Sequence, residues 1–244
     1  MTRSLLPFVA APTTARRAWP FERRIALTAA PPAPPGRYLV LCDRGGVGES
    51  VASALRARGN EVIRVAHLDP ARPMHRQTPA DVVVGAEGSD ALAALIEASD
   101  TADRPLLGIV HLWGLDPQTL EGGARLQTMA RETGLITVTS ALEKVDCTPR
   151  LWIVTRGALP TEVGRPRPHL GLLWSFGRVL GVARPELRPT LVDLDPTRSS
   201  REGAAALSRV LMTAPNMRRL VSRRRCWYAP SRMDIARLAP AAAA

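Results

Sequence analysis

The residues best placed to do chemistry in this 244-residue chain are three glycines, Gly45, Gly46 and Gly48, in the run Asp43-Arg-Gly-Gly-Val-Gly48. They follow an apolar run, Arg37-Tyr-Leu-Val-Leu-Cys42, and precede a stretch with Val47, Val51 and Leu55 at i, i+4 and i+8. A glycine turn between a strand and a helix lets the chain reverse sharply. It also brings phosphate oxygens against backbone N–H groups at the helix N-terminus, the arrangement that holds a dinucleotide. Two departures weaken that reading. Val51 stands where the fingerprint needs a third small residue, and Asp43, just before the turn, sets a carboxylate beside the site. Such a carboxylate repels the ligand unless it caps the backbone donors itself. Gly45, Gly46 and Gly48 are therefore read as a vestigial loop kept for strand–helix packing, and no cofactor is expected to bind this chain.

Proton-transfer chemistry finds no machinery. A tyrosine with a lysine four residues later on one helix face can pass a proton to a nascent alkoxide, because the ammonium lowers the phenol pKa. The two tyrosines have Cys42 and Arg232 at that distance (from Tyr38 and Tyr228), and Pro230 interrupts the second segment. The only lysine, Lys144, has Ser140 four residues before it. The four histidines, His67, His75, His111 and His169, show no metal-ligand spacing. His111, closing an apolar run, reads as a core or rim histidine. Asp193 and Asp195 in Leu191-Val-Asp-Leu-Asp-Pro196 could pair as acid and base at a strand end, but a capping or turn role before Pro196 suits them better. There is no Gly-x-Ser-x-Gly elbow and no Walker-type Gly-Lys-Ser/Thr. No catalytic residue and no metal site is predicted.

Around these residues the chain alternates short apolar runs with helical patterns. Strands are expected at 37–42, 61–66, 106–111, 151–155 and 190–194, and helices from Val47 to Gly59, then at 91–99, 120–131, 169–180 and 203–214. Runs at 218–222 and 225–229 could close the sheet. Strands separated by 10–15-residue helical patterns predict an α/β fold, truncated and Rossmann-like, with a mainly parallel sheet and helices on both faces. Residues 1–35, ending Pro31-Pro-Ala-Pro-Pro35, read as an interdomain linker, 36–235 as the folded subdomain, and 236–244 as an Ala/Pro tail. The charge is +11 from 33 Lys+Arg and 22 Asp+Glu. With one lysine, the excess arginine looks like codon bias and speaks only weakly for an anionic partner. The clusters Arg16-Arg17, Arg23-Arg24, Arg218-Arg219 and Arg223-Arg-Arg225 have few aromatics near them, so a solvated edge or interdomain surface is preferred over a nucleic-acid site. No apolar run is long enough to span a bilayer, and three scattered cysteines argue against a disulfide framework, so a cytoplasmic setting is expected.

Several segments occur in a specific order: Leu151-Trp-Ile-Val-Thr-Arg-Gly-Ala158, Gly171-Leu-Leu-Trp-Ser-Phe-Gly-Arg-Val179, Ala183-Arg-Pro-Glu186, Leu191-Val-Asp-Leu-Asp-Pro196 and Arg223-Arg-Arg-Cys-Trp-Tyr-Ala-Pro230. Together they resemble the N-terminal structural half of the ketoreductase region in modular type I polyketide synthases. Asp43-Arg-Gly-Gly-Val-Gly48 and His111-Leu-Trp-Gly-Leu115 fit the same pattern, and Arg17-Ala-Trp-Pro-Phe-Glu-Arg-Arg24 resembles the linker after a synthase's acyltransferase. The resemblance implies a short-chain-reductase-like half with no catalysis of its own. It would sit beside a catalytic half that carries NADPH and reduces β-keto thioesters on an acyl carrier protein, with no nucleic acid or membrane as partner. The other readings are a divergent nucleotide-binding oxidoreductase using Gly45–Gly48 and, further off, a basic nucleic-acid-binding module.

Overall fold

The structure is a computed structural model and describes residues 23–27, 34–68, 80–85, 88–116, 134–159, 168–213 and 217–229. The expected helix at 120–131, the tail at 236–244 and His75 lie outside the described residues. Nine strands form one sheet: β1 (Arg23–Ile25), β2 (Arg37–Leu41), β3 (Glu61–Leu68), β4 (Val82–Gly85), β5 (Leu106–His111), β6 (Arg150–Arg156), β7 (Thr190–Leu194), β8 (Arg219–Arg223) and β9 (Cys226–Ala229). Their order is β1-β9-β8-β7-β6-β5-β2-β3-β4. From β4 across to β8 every pairing is parallel; the β8–β9 and β9–β1 pairings are antiparallel. This is the doubly wound, Rossmann-like order, reversing between β2 and β5.

Five α-helices are described: α1 (Val47–Arg56), α2 (Ser89–Ser99), α3 (Leu135–Leu142), α4 (Pro168–Ala183) and α5 (Ser200–Thr213). Two cores explain why the central strands read as unbroken apolar runs. Side chains of a strand alternate between faces, and here both faces are covered. Leu39, Leu41, Ile109 and Ile153 pack with α2, α3 and α4 through Ile96, Val138, Leu173 and Trp174. Val40, Val110, Trp152, Val154 and Val192 pack with α1 and α5 through Val51, Leu55, Leu207 and Val210.

Three features differ from the sequence expectation. β3 runs on to Leu68, and β4 is a strand that the short run Val82-Val-Val-Gly85 had not announced. α3 is a helix despite Ile136, Thr137, Val138 and Thr139, whose branched β-carbons disfavour one. Burial of Leu135, Val138, Ala141 and Leu142 along one side outweighs that propensity. The two closing runs do extend the sheet as expected, in an antiparallel hairpin with a two-residue turn at Arg224 (φ 50°) and Arg225 (φ 63°). Finally, residues within the expected 1–35 linker supply β1, which lies along β9 with Arg24 opposite Tyr228 and Ile25 opposite Trp227. Ile25 and Leu27 pack against the α1/α5 core.

Candidate functional site

In a doubly wound sheet, ligands enter at the carboxyl ends of the strands where the order reverses. Here that place lies between the ends of β2 and β5, and the loop Asp43–Gly46 leads from β2 into α1. Geometry requires glycine at two of the three positions, Gly46 and Gly48. Gly46 has φ 82°, open to glycine without strain. A Cβ on Gly48 would lie 2.9 Å from the Cys42 Cα, so α1 can approach β2 this closely only without one. A Cβ on Gly45 would lie 2.9 Å from a carboxylate oxygen of Asp43.

Asp43 decides what the loop can do. Its side chain turns into the N-terminus of α1, where Oδ1 accepts the Gly48 N–H at 2.7 Å and Oδ2 the Val47 N–H at 3.3 Å. Burial pushes the Asp43 carboxyl above its ordinary pKa, against the downward pull of the N–H groups of Gly48 and Val47. A second carboxylate ties the loop from outside: Asp116, just beyond β5, accepts the Arg44 N–H at 2.8 Å. The backbone donors and the positive end of the helix dipole that would hold a phosphate thus already face an anion of the chain itself. The residues present do not fit a dinucleotide pyrophosphate. Next to the loop, burial, reinforced by the Asp43 charge, pushes the Cys42 thiol up to about 12, which favours the protonated form.

A second network fills the carboxyl ends of β6, β7 and β8. Asp193 is fully buried and forms an ion pair with Arg223 at 2.5 Å. It also accepts the Thr155 hydroxyl (2.8 Å) and the N–H groups of Ala158 (2.9 Å) and Leu159 (3.1 Å). The Trp174 indole N–H donates to the Thr155 Oγ1 at 2.9 Å. Arg223 donates further to the carbonyls of Leu159, Leu194 and Ser222. All four side chains are held by one another and by main chain, so they serve as struts of the β6 exit. A buried pair tolerates desolvation only with such additional bonds.

The other sequence candidates fall elsewhere. Asp195 does not pair with Asp193 as acid and base. It accepts the Thr197 N–H and hydroxyl and the Arg224 N–H, the turn role expected before Pro196. Arg223, read as part of a solvated edge, is instead 1% exposed. Its signal was available in Asp193, because a carboxylate inside an apolar strand requires a buried counter-charge. His111 is buried in the core, and its ring meets Trp113 edge-on; His67 lies tilted against the same indole at 4.7 Å between centroids. No group of His, Cys, Asp and Glu able to hold a metal ion occurs among the described residues. Lys144 pairs with Asp90 at 2.5 Å on the surface. Tyr38 is packed beside Gly108 on the central strands, where burial raises its phenol pKa, while Tyr228 is on β9, between β8 and the edge strand β1.

No family model matches the chain. Among curated proteins it is 33% identical over 132 residues to phenolphthiocerol/phthiocerol polyketide synthase subunits from Mycobacterium tuberculosis and Mycobacterium bovis. That match takes in 52% of this chain and 7% of each relative, so the chain spans a small part of the synthases it resembles. Among solved structures, a C2-type ketoreductase from a modular polyketide synthase has 24% identity and a TM-score of 0.57, covering 79% of this chain and 40% of that one. The adenylation–ketoreductase–pseudo-Asub structure of a keto acid-selecting NRPS module reaches a TM-score of 0.65 at 15% identity, over 87% of this chain and 18% of that one. A short-chain dehydrogenase from Mycobacterium smegmatis has 16% identity and a TM-score of 0.52, over 83% of this chain and 98% of the dehydrogenase. The fold is therefore the one shared by short-chain dehydrogenases and polyketide synthase ketoreductases, and the sequence relatives are parts of polyketide synthases. No helix among the described residues is long and apolar enough to cross a membrane.

Proposed function

We propose that this chain is a non-catalytic structural half of a polyketide synthase ketoreductase. Residues 36–235 together with β1, which lies along β9, form the folded unit, with the remainder of 1–35 and 236–244 as its connections. In this reading it supports an adjacent catalytic half, which binds NADPH and reduces a β-keto thioester carried by an acyl carrier protein. One observation carries the reading: the Asp43 carboxylate occupies the α1 N-terminus through Val47 and Gly48, where a cofactor pyrophosphate would need to sit. The sequence supports it too, since neither tyrosine has a lysine four residues on. The size of the matched structures agrees: the chain covers nearly all of a single dehydrogenase but about two-fifths of a ketoreductase.

The test is a titration of the 244-residue chain with NADPH, followed by nicotinamide fluorescence and by calorimetry. No saturable binding is expected up to about 1 mM, a concentration at which a bound state would be worth only ~4 kcal/mol. Micromolar affinity would overturn the assignment in favour of a nucleotide-binding oxidoreductase.

A further inference from the structure

Arginines gather on one rim of the sheet, at the carboxyl ends of its strands. Arg44 follows β2, Arg156 ends β6, Arg198 and Arg201 lie at the start of α5, and Arg224 and Arg225 form the β8–β9 turn. Close contacts make these segments one continuous surface. A Cβ at Gly45 would lie 3.8 Å from the Ser200 hydroxyl, one at Gly203 2.9 Å from the Arg156 guanidinium, and one at Gly157 3.2 Å from Pro196. Asp195 then ties the β7–α5 turn to the β8–β9 turn by accepting the N–H groups of Thr197 and Arg224. The acids of this rim are taken up by the fold. Asp43, Asp193 and Asp195 are buried and spend their oxygens on main-chain N–H groups, hydroxyls and Arg223. Glu202 is exposed but turns back onto the Ser199 N–H and Arg198. Arg201, Arg224 and Arg225 are exposed.

These three arginines also stand where local structure disfavours them. Arg224 and Arg225 both have positive φ, a region that suits glycine or asparagine. Arg201 lies in the first turn of α5, where the partial positive charge of the helix end favours an acid. Codon bias does not account for them, since glycine is as GC-rich a choice as arginine. Backbone strain of this kind collects at sites where function needs the side chain. We propose that the rim is a docking surface for an acidic protein, whose aspartate and glutamate side chains meet Arg201, Arg224 and Arg225. A carboxylate matches the paired N–H groups of a guanidinium. Nucleic acid fits the rim less well. A duplex is held by roughly six to ten phosphate contacts, more than these exposed cations supply, and Trp227 is only 6% exposed and so offers no face for a base. Charges at such a rim speed and orient association more than they tighten it, so the complex is salt-sensitive and reversible. The surface stands on charge and geometry, independent of what the β2–α1 loop binds.

Fluorescence anisotropy of a labelled peptide of about ten glutamates, titrated with the full chain at low and at physiological salt, tests it. Binding should weaken as salt rises. Arg224→Asn with Arg225→Gly should weaken it about fivefold, the worth of two exposed ion pairs, while unfolding at no lower urea than wild type because the turn is relieved. Arg201→Ala, at an exposed helical position, should act in the same direction. Arg58→Ser with Arg104→Ser removes the same charge from exposed positions at the opposite, amino-end rim and should leave affinity within about twofold. Equal losses from the two double variants would reduce the effect to overall charge and overturn the docking surface. So would no binding at low salt, or tighter binding of a thymidine decanucleotide than of the peptide.

Discussion

Two aspartates near the carboxyl edge of the sheet respond to pH in opposite senses, and each response reports its job. Burial pushes the Asp195 carboxyl up, but hydrogen bonds from the Thr197 hydroxyl and N–H and the Arg224 N–H outweigh it and bring its pKa below the ordinary value. A lowered carboxyl stabilises the fold above its unfolded pKa of about 4, and that contribution is lost as pH falls through the folded value. Asp43 is raised by burial, so its contribution is present in acid and lost as pH rises through its folded value. Asp195→Asn should therefore flatten the acid limb of the stability curve, and Asp43→Asn should steepen it, both read from urea midpoints between pH 3 and 7. A steeper limb in Asp195→Asn would remove the account of that turn. The same comparison separates two roles that sequence alone left joined, since a carboxylate beside a glycine loop can either repel an anion or replace one.

Among the elements, the β8–β9 hairpin carries an evident local conflict. A two-residue turn whose central residues both have positive φ is built for Asn-Gly, yet it holds Arg224 and Arg225. Each such residue costs about 1–2 kcal/mol in the left-handed region. The turn survives because the ladder on either side is fixed by Val221 opposite Tyr228 and Ser222 opposite Trp227, and because Asp195 takes the Arg224 N–H. Arg224→Asn with Arg225→Gly should therefore raise stability by about 1–3 kcal/mol, a rise of several degrees in melting temperature for a chain of this size. An unchanged or lower Tm would mean that the arginine side chains hold the turn by contacts worth as much as the strain. The hairpin shows what was legible at this scale. Period-two and 3.6-residue patterns located β2, α1, β5, β6, α4, β7 and α5 because each is long and one-sided or doubly buried. They passed over β4, which is four residues long, and α3, whose helicity comes from tertiary burial of β-branched residues rather than local preference.

At the scale of the whole sheet, the doubly wound order followed from the spacing of strand and helix patterns, but the edge beyond β8 did not. An antiparallel pairing between β1 and β9 joins residues some two hundred positions apart, and nothing in Arg23-Arg-Ile25 announces it. That a carboxylate could cap the backbone donors of the loop was legible in Asp43, which accepts the N–H groups of Val47 and Gly48. Closure of the β6–β8 end was not, because Arg223 sits in a run of three arginines that differ only in where the fold puts them: one beside buried Asp193, the other two on the exposed turn. Whether residues 23–27 belong to the folded unit or to a connection is therefore a question about the sheet edge. Ile25 and Leu27 are half-buried against the α1/α5 core, and Ile25 lies opposite Trp227, which is only 6% exposed. Removing that cover exposes the outer backbone of β9 and part of the indole. Two half-buried aliphatic side chains correspond to roughly 1.5–3 kcal/mol of burial. A chain beginning at Pro34 should unfold at lower urea by that amount, with tryptophan emission shifted to the red in the folded state, while the β2–α1 loop and its Asp43 cap stay as they are. If midpoint and emission match the full chain, β1 contributes nothing to the sheet and the folded unit begins at β2.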